Sequence, residues 1–171
     1  MKKSILLFMV FLLGTACFVQ AQSPYKNSFG LSVGNMEALS FKTFPTTHFA
    51  ISVDLGAKIV PVGKKSNLIW DRGLEINPNF MFEGNFTKGL YGLIGGGLSC
   101  GWDWRYYGTS NLYRDDYFKT GVNGIAGLEY KFNGPVAIQL DFRPGYAFLF
   151  APQSTERHFD WSANLGLRYT F

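Results

Sequence analysis

The sequence predicts an all-β fold, an eight-stranded antiparallel up-and-down transmembrane β-barrel. Apolar and polar residues alternate over long segments, so that each segment has one apolar and one polar face. Several segments exceed the usual length of soluble strands and reach the roughly 9 to 11 residues that a tilted strand needs to cross a bilayer. Short and long connections also alternate along the chain, which is typical of transmembrane barrels.

The composition excludes several other classes of protein. The chain has 171 residues, of which 47% are hydrophobic, 18% aromatic and 16% charged. Its mean hydropathy of +0.02 is too low for a bundle of membrane helices, each of which needs roughly 20 consecutive apolar residues. The formal net charge is +4. The basic residues do not form a cluster of the kind that would predict nucleic-acid binding.

Residues 1–21 are predicted to be a signal peptide, and residues 22–171 to form the barrel domain. A basic start, an apolar run and a small-residue cleavage site ending at Ala21 indicate export. An alternative is a lipoprotein signal with Cys17 as the acylated first residue. Cleavage after Ala21 would leave Cys100 as the only cysteine, so that no intrachain disulfide could form.

The period of two gives eight strands, a number that closes a barrel. The predicted spans are Ser28–Asn35, Ala38–Phe44, Phe49–Ala57, Leu74–Glu83, Gly89–Trp104, Tyr117–Phe132, Val136–Phe150 and His158–Phe171. The predicted turns are Pro45–Thr47, Thr87–Lys88 and Asn133–Gly134, and the predicted long polar loops are Lys58–Asp71, Arg105–Asp116 and Ala151–Arg157. Outer-membrane barrels have short periplasmic turns and longer outer loops, so both termini are expected in the periplasm.

The predicted loops suggest an interaction with something outside the cell. They carry exposed basic and aromatic residues, namely Lys64, Lys65, Trp70, Tyr106, Tyr107, Arg114 and Arg157. Such residues suit lipopolysaccharide or an external protein or glycan ligand. The alternative is that they only anchor the barrel among the lipid head groups.

Aromatic residues are expected to form a girdle at each membrane interface. The predicted outer girdle contains Trp70, Trp102, Trp104, Tyr106, Tyr146 and Trp161, and the inner girdle contains Phe44, Phe86, Tyr130, Phe132, Tyr169 and Phe171. The alternative is a soluble β-sandwich in which these rings form the core. Export, strand length and loop asymmetry together favour the membrane barrel.

The polar faces predict an interior network of ionic side chains. Its members are Lys42, Asp54, Glu75, Glu83, Asp103, Lys119, Glu129, Lys131, Asp141, Arg143 and Arg168. The interior of an eight-stranded barrel is just wide enough for side chains, and an unpaired buried charge costs several kcal/mol, so these residues should pair. These pairs predict a structural or surface-interaction role with a salt-bridged, non-conducting interior. A small-solute channel is the alternative, but a stable pore would need a wider barrel.

A second alternative is an outer-membrane lipid-modifying hydrolase. His158, Asp160 and Ser162 share the polar face of the last strand, but alternate residues lie about 6 to 7 Å apart along a strand. The surrounding sequence matches no motif of such enzymes. The chain is therefore predicted to be no enzyme, with no catalytic residue, cofactor or metal site.

Prolines and glycines within strands predict local irregularities. Pro78 and Pro144 each remove a backbone donor from a strand, so a bulge is expected at both. The run Gly95–Gly97 lacks the following residues of a phosphate-binding loop. It is expected to relieve crowding against a bulky neighbouring strand.

The C-terminal segment Asn164-Leu165-Gly166-Leu167-Arg168-Tyr169-Thr170-Phe171 resembles the assembly signal of bacterial outer-membrane barrels. Its predicted signal residues are Asn164, Gly166, Tyr169 and Phe171. The mature chain resembles small eight-stranded barrels of the OmpX and OmpA membrane-domain type. It is most similar to Bacteroidetes outer-membrane barrel proteins, on the run Gly127–Phe132 followed by Pro135–Pro144. The resemblance implies an outer-membrane monomer that is recognised by the barrel insertion machinery.

Overall fold

The computed structural model describes residues 25–61, 68–107, 113–151 and 154–171. They form a closed barrel in which each strand pairs with its neighbours in chain order. The strands are β1 (Asn27–Gly34), β2 (Glu37–Thr43), β3 (Phe49–Pro61), β4 (Leu68–Thr87), β5 (Leu90–Tyr107), β6 (Tyr113–Lys131), β7 (Val136–Ala151) and β8 (Ser154–Thr170). The predicted signal peptide and Cys17 lie outside the described residues.

Alternation places the two kinds of side chain on opposite sides of the barrel wall. In β8, Leu165, Leu167 and Tyr169 are more than half exposed on the outer surface. The intervening Asn164 and Arg168 are buried in the lumen. Because the same arrangement recurs around the barrel, the outside is apolar and the inside is polar, and the predicted fold class is confirmed. No helix among the described residues is long and apolar enough to cross a membrane.

The strands at the outer connections are longer than predicted. β3 and β4 continue into the predicted loop Lys58–Asp71, and β5 and β6 continue into Arg105–Asp116. β8 begins at Ser154, inside the predicted loop Ala151–Arg157. The apolar face that reveals a strand in the sequence is lost there, although backbone pairing continues. Trp70, Tyr106, Tyr107 and Arg114 therefore lie in strands, whereas Lys64 and Lys65 lie outside the described residues.

The hairpin of β1 and β2 is much shorter than the rest of the wall. The pairing of β1 with β8 ends at Gly34 and Asn164, although β8 begins as far away as Ser154. On the other side, the pairing of β2 with β3 ends at Glu37 and Ala57. The tip of this hairpin, Asn35–Met36, is called the low rim below.

The expected bulges at Pro78 and Pro144 are absent. The pairing of β4 with β5 skips Asn77 and Pro78, but the register is the same on both sides of the gap. The pairing of β6 with β7 skips Arg143 and Pro144 in the same way. Both prolines keep their pairing with the other neighbouring strand. A strand residue directs its N–H and C=O to one neighbouring strand only. Each proline therefore interrupts the hydrogen bonds to one neighbour and leaves the register unchanged.

At two positions the structure requires glycine, because a side chain would collide with a neighbouring strand or strain the backbone. A Cβ at Gly97 would collide with the amide oxygen of Asn79 and would lie 2.9 Å from the carbonyl oxygen of Pro78. This finding agrees with the expectation of crowding against a neighbouring strand. Gly89 has a φ of +81° in the turn between β4 and β5, a conformation that glycine adopts without strain.

The barrel closes where the first and last strands meet. The N–H of Asn27 donates to the carbonyl oxygen of Phe171 at 2.8 Å, and the N–H of Phe171 donates to that of Asn27 at 2.9 Å. The two ends of the described chain therefore lie at one end of the barrel, called the terminal end below. The opposite end is called the distal end.

Candidate functional site in the barrel interior

Polar side chains from the inner faces of the strands fill most of the lumen. Ten of the eleven residues of the predicted network are buried there: Lys42, Asp54, Glu75, Glu83, Asp103, Lys119, Glu129, Asp141, Arg143 and Arg168. Their described contacts form three groups at successive levels along the barrel axis. These groups are called the terminal, middle and distal clusters.

The terminal cluster centres on Lys42, which is completely buried. Its Nζ donates to Glu83 at 2.6 Å and to Glu129 at 2.7 Å. Lys42 lies on β2 and Glu129 on β6, which stand opposite each other in a barrel of eight strands in chain order. This ion pair therefore crosses the full width of the lumen.

Tyr25, which precedes β1, completes the terminal cluster. Its hydroxyl donates to Glu129 at 2.8 Å, and its ring packs edge-on against Phe44 with centroids 5.2 Å apart. Burial raises the pKa of Tyr25 above its ordinary value, which keeps the hydroxyl protonated as a donor. The segment before β1 thus contributes a side chain to the interior.

An apolar layer adjoins the terminal cluster. It consists of Phe44, Ala50, Met81, Leu93 and Ile125, with Tyr25 packed against it. Phe44 was expected in the inner aromatic girdle, but it is buried in the lumen. The reason is the period of two, because Phe44 lies on the same face of the chain as Lys42.

Arg168 joins the terminal and middle clusters through neutral partners. Its Nε donates to Gln139 at 2.8 Å, its Nη1 to Ser28 at 3.2 Å and its Nη2 to Ser40 at 2.7 Å. The carboxylate of Glu129 lies 3.9 Å from Nε. The planar guanidinium thus connects four strands in one layer.

The middle cluster is built around Arg143 on β7. Its Nη1 donates to Asp54 on β3 at 2.6 Å, and its Nε donates to Asp141 at 2.6 Å. Asp141 also accepts hydrogen bonds from Gln139 at 2.8 Å and from Asn164 at 3.1 Å. Since β3 and β7 also stand opposite each other, the Arg143–Asp54 pair is a second connection across the lumen.

The distal cluster is smaller and leaves open space. Lys119 Nζ donates to Glu75 at 2.6 Å, and Asn77 Nδ2 donates to the sulfur of Met36 at 3.3 Å. Beside these groups lies a cavity of about 350 Å³. Among the described residues, two cross-lumen ion pairs and an apolar layer close the interior, and the cavity lies on their distal side.

Lys131 does not join the network as expected. Its Nζ donates to the backbone carbonyl oxygens of Phe132 and Gly134 at the turn after β6. It is the last residue of its strand and partly buried, and its ammonium group binds at the turn rather than in the lumen. The other ten predicted residues lie on the inner wall.

The three residues of the hydrolase hypothesis are only partly described. The hydroxyl of Ser162 accepts a hydrogen bond from Asn164 at 3.1 Å. The side chains of His158 and Asp160 lie outside the described part of the structure. In that part, no group of three or more His, Cys, Asp or Glu residues could hold a metal ion.

The neutral partners of the ions were not identified from the sequence. Gln139, Asn79, Asn164 and Ser40 lie on the predicted polar faces and are buried, so the alternation pattern could have found them. Asn79 donates to Asp54 at 3.0 Å and Ser52 at 3.2 Å. Tyr25 precedes the first strand, and no periodic pattern includes it.

The four residues of the predicted assembly signal lie on both faces of the last strand. Asn164 and Gly166 face the lumen, whereas the rings of Tyr169 and Phe171 are about 60% exposed on the outer surface. These two rings lie 6.2 Å apart. Recognition by the insertion machinery stays a prediction.

An eight-stranded closed barrel with an apolar exterior and an ion-paired interior is the fold of small outer-membrane β-barrels. Solved structures share it, including the following two. Neisserial surface protein A (NspA) is similar with a TM-score of 0.60 and 12% identity, over 85% of this chain and 93% of that chain. The N-terminal β-barrel domain of Pseudomonas aeruginosa OprF is similar with a TM-score of 0.52 and 15% identity, over 89% of this chain and 100% of that chain.

No protein family matches this sequence, and no curated protein is similar to it. At 12% and 15% identity, the two solved structures show the fold alone.

Proposed function

We propose that this protein is a non-enzymatic outer-membrane barrel with a non-conducting interior, whose outer surfaces carry a structural or interaction role. The apolar exterior supports a place in a membrane, because a soluble protein rarely exposes so large an apolar surface. The shared fold of two proteins from bacterial outer membranes supports that particular membrane. No described feature calls for a cofactor.

The cross-lumen ion pairs carry the proposal of a closed interior. Lys42 binds Glu129 on the opposite wall, and Arg143 binds Asp54 on the opposite wall. Solutes could pass only if both pairs and the apolar layer at Met81 moved aside. Removing one partner of a buried pair typically costs about 3–5 kcal/mol, so such an opening would be rare.

The proposed orientation has both termini in the periplasm and the distal end outside. The apolar exterior would contact lipid, and the distal end would contact lipopolysaccharide or an external protein or glycan. Arg157 is exposed on β8 and lies 5.8 Å from the ring of Phe148. This pairing of a cation with an aromatic ring suits the level of anionic head groups.

Conductance in planar bilayers tests the closed interior. The refolded protein should give no discrete current steps above those of a protein-free bilayer, whereas a wide porin in the same bilayer should conduct. Regular steps that scale with the amount of protein would refute the proposal. Migration that changes with heating, measured on the outer-membrane fraction of expressing cells, tests the location separately.

Thiol labelling of whole cells tests the orientation. A Cys100→Ser background removes the exposed natural thiol. In this background, Arg157→Cys should react with a membrane-impermeant maleimide on intact cells. The matched variant Asn133→Cys, at a turn of the terminal end, should react only after the outer membrane is opened. The reverse result would overturn the orientation.

A further inference from the structure

The cavity in the distal cluster has the size of a ligand site. Its volume is about 350 Å³, and small-molecule sites in proteins occupy roughly 300–1,000 Å³. Its lining includes the charged residues Glu75, Lys119 and Arg143 and the amide of Asn77. Charges of both signs therefore border one space.

One buried acceptor in this cavity has no protein donor. Asn77 is 5% exposed, and its Oδ1 makes no hydrogen bond among the described residues. Its Nδ2 donates to the sulfur of Met36 at 3.3 Å, so Oδ1 is the end of this amide that has no described partner. A buried acceptor without a donor is costly. A ligand with an N–H group would remove this cost.

The cavity also borders a cation with spare donors. A guanidinium has five N–H donors. Those of Arg143 make three described bonds, one to Asp54 and two to Asp141. Two donors therefore remain, as far as the described residues show, and they suit an oxyanion. The carboxylate of Glu75 on the same cavity suits a positive charge.

The barrel wall beside this cavity is lowest at the low rim, and this gap can serve as a lateral entrance. Asn35 and Met36 line the cavity, and the wall of β1 and β2 ends there. On β8, the apolar exterior continues beyond the rim to Phe159, which is 64% exposed. The distance from Ala163, beside the rim, to Phe159 is about 13 Å along the strand. At a strand tilt of about 45°, it is about 9 Å along the membrane normal. If the barrel lies in a membrane as proposed above, the entrance opens at the depth of lipid chains.

We propose that this cavity binds a zwitterionic group with a primary ammonium and an oxyanion, the chemistry of phosphoethanolamine. The ammonium donates to Asn77 Oδ1 and faces Glu75, and the oxyanion accepts from Arg143. The group can belong to a single-chain lipid that enters over the low rim or to a free solute. Only the lipid source depends on the proposed membrane location.

Binding of head-group analogues to the refolded full-length mature chain tests this site. In micelles of an uncharged maltoside detergent, calorimetry compares lysophosphatidylethanolamine, lysophosphatidylcholine and free phosphoethanolamine. The quaternary ammonium of choline has no N–H donor. We therefore expect the ethanolamine lipid to bind one-to-one and at least about tenfold more tightly than the choline lipid, a difference of about 1.4 kcal/mol.

Two variants show whether Asn77 is the origin of this preference. Asn77→Leu keeps the approximate volume but removes the acceptor, so the two lipids should bind equally. Asn27→Leu removes an amide at the terminal end, far from the cavity, and should keep the tenfold preference. Unchanged heat-dependent migration shows that each variant still folds.

The outcomes separate this inference from the proposed function. Equal binding of free phosphoethanolamine and the ethanolamine lipid supports the site with an aqueous source, and binding of the lipid alone supports the lateral source. Equal affinity for ethanolamine and choline lipids, or no binding by a folded barrel, overturns the site. A chain that never appears in outer membranes overturns the proposed function, whether or not the micelle experiment shows the preference.

Discussion

Replacing Lys42 by Met should strongly destabilise the barrel. The substitution keeps most of the side-chain length but removes the ammonium group that binds Glu83 and Glu129. Two carboxylates would then remain in a fully buried space. Tyr25 can still donate to Glu129, but Glu83 would lose its described ionic partner.

The magnitude follows from the burial of the three groups. Lys42 and Glu129 have side chains with 0% exposure, and Glu83 has 2%. Breaking such a pair typically costs about 3–5 kcal/mol, because one charge remains buried without compensation. With a urea dependence of about 2 kcal/mol per molar, the unfolding midpoint should fall by about 1.5–2.5 M.

Equilibrium unfolding in urea, measured by tryptophan fluorescence of the barrel in lipid vesicles, provides the assay. Lys131→Met is the matched control, since this lysine binds only backbone carbonyls at an exposed turn. It should change the free energy of unfolding by no more than about 0.5 kcal/mol. Adding Glu83→Gln and Glu129→Gln to Lys42→Met should recover most of the loss. Equal effects of the two lysine variants would refute the ion-pair reasoning.

Two further substitutions test other parts of the structure. Phe171→Ser should reduce the folded, heat-modifiable form in cells, whereas refolding of the purified chain into micelles should be nearly unchanged; equal losses in both would argue against a recognition signal. Gly97→Ala should lower the free energy of unfolding by about 1–3 kcal/mol, because its Cβ collides with the amide of Asn79. Gly134→Ala, which meets no atom within 4 Å, should have almost no effect, and similar losses for both glycine variants would contradict the crowding argument.

Period-two alternation predicted the fold because it decides which side chains share a face. It placed Arg143 and Asp54 on the inner wall before their contact was known. It could not show that they bind each other, since that contact depends on which strands stand opposite in the closed barrel. The pairing across the lumen became visible only with the strand order.

The errors of the sequence analysis have specific physical causes. Phe44 was assigned by its position at a strand end, although its face is that of Lys42. The loop boundaries were placed where the apolar face ended, at Lys58 for example, but backbone pairing needs no apolar face. The bulge at Pro78 was expected because the residue lacks a backbone donor within a central strand, but the ladder with β5 skips Asn77 and Pro78 without a change of register.

The open part of the interior was the least predictable feature. This open space exists because the hairpin that ends at Asn35–Met36 is short. The sequence does not show how far along β8 this hairpin reaches. That Asn77 Oδ1 has no described partner likewise depends on the position of the single sulfur that accepts from Nδ2. Such details are set by three-dimensional packing rather than by local pattern.

The reciprocal bonds between Asn27 and Phe171 constrain the order of biosynthesis. Every other strand pairing joins elements adjacent in sequence, and hairpins of this kind form locally and early. The one exception, the pairing of β1 with β8, can form only after β8 has been synthesised, so the cylinder is sealed last. Until then, β1 and β8 present open edges that invite pairing with other chains.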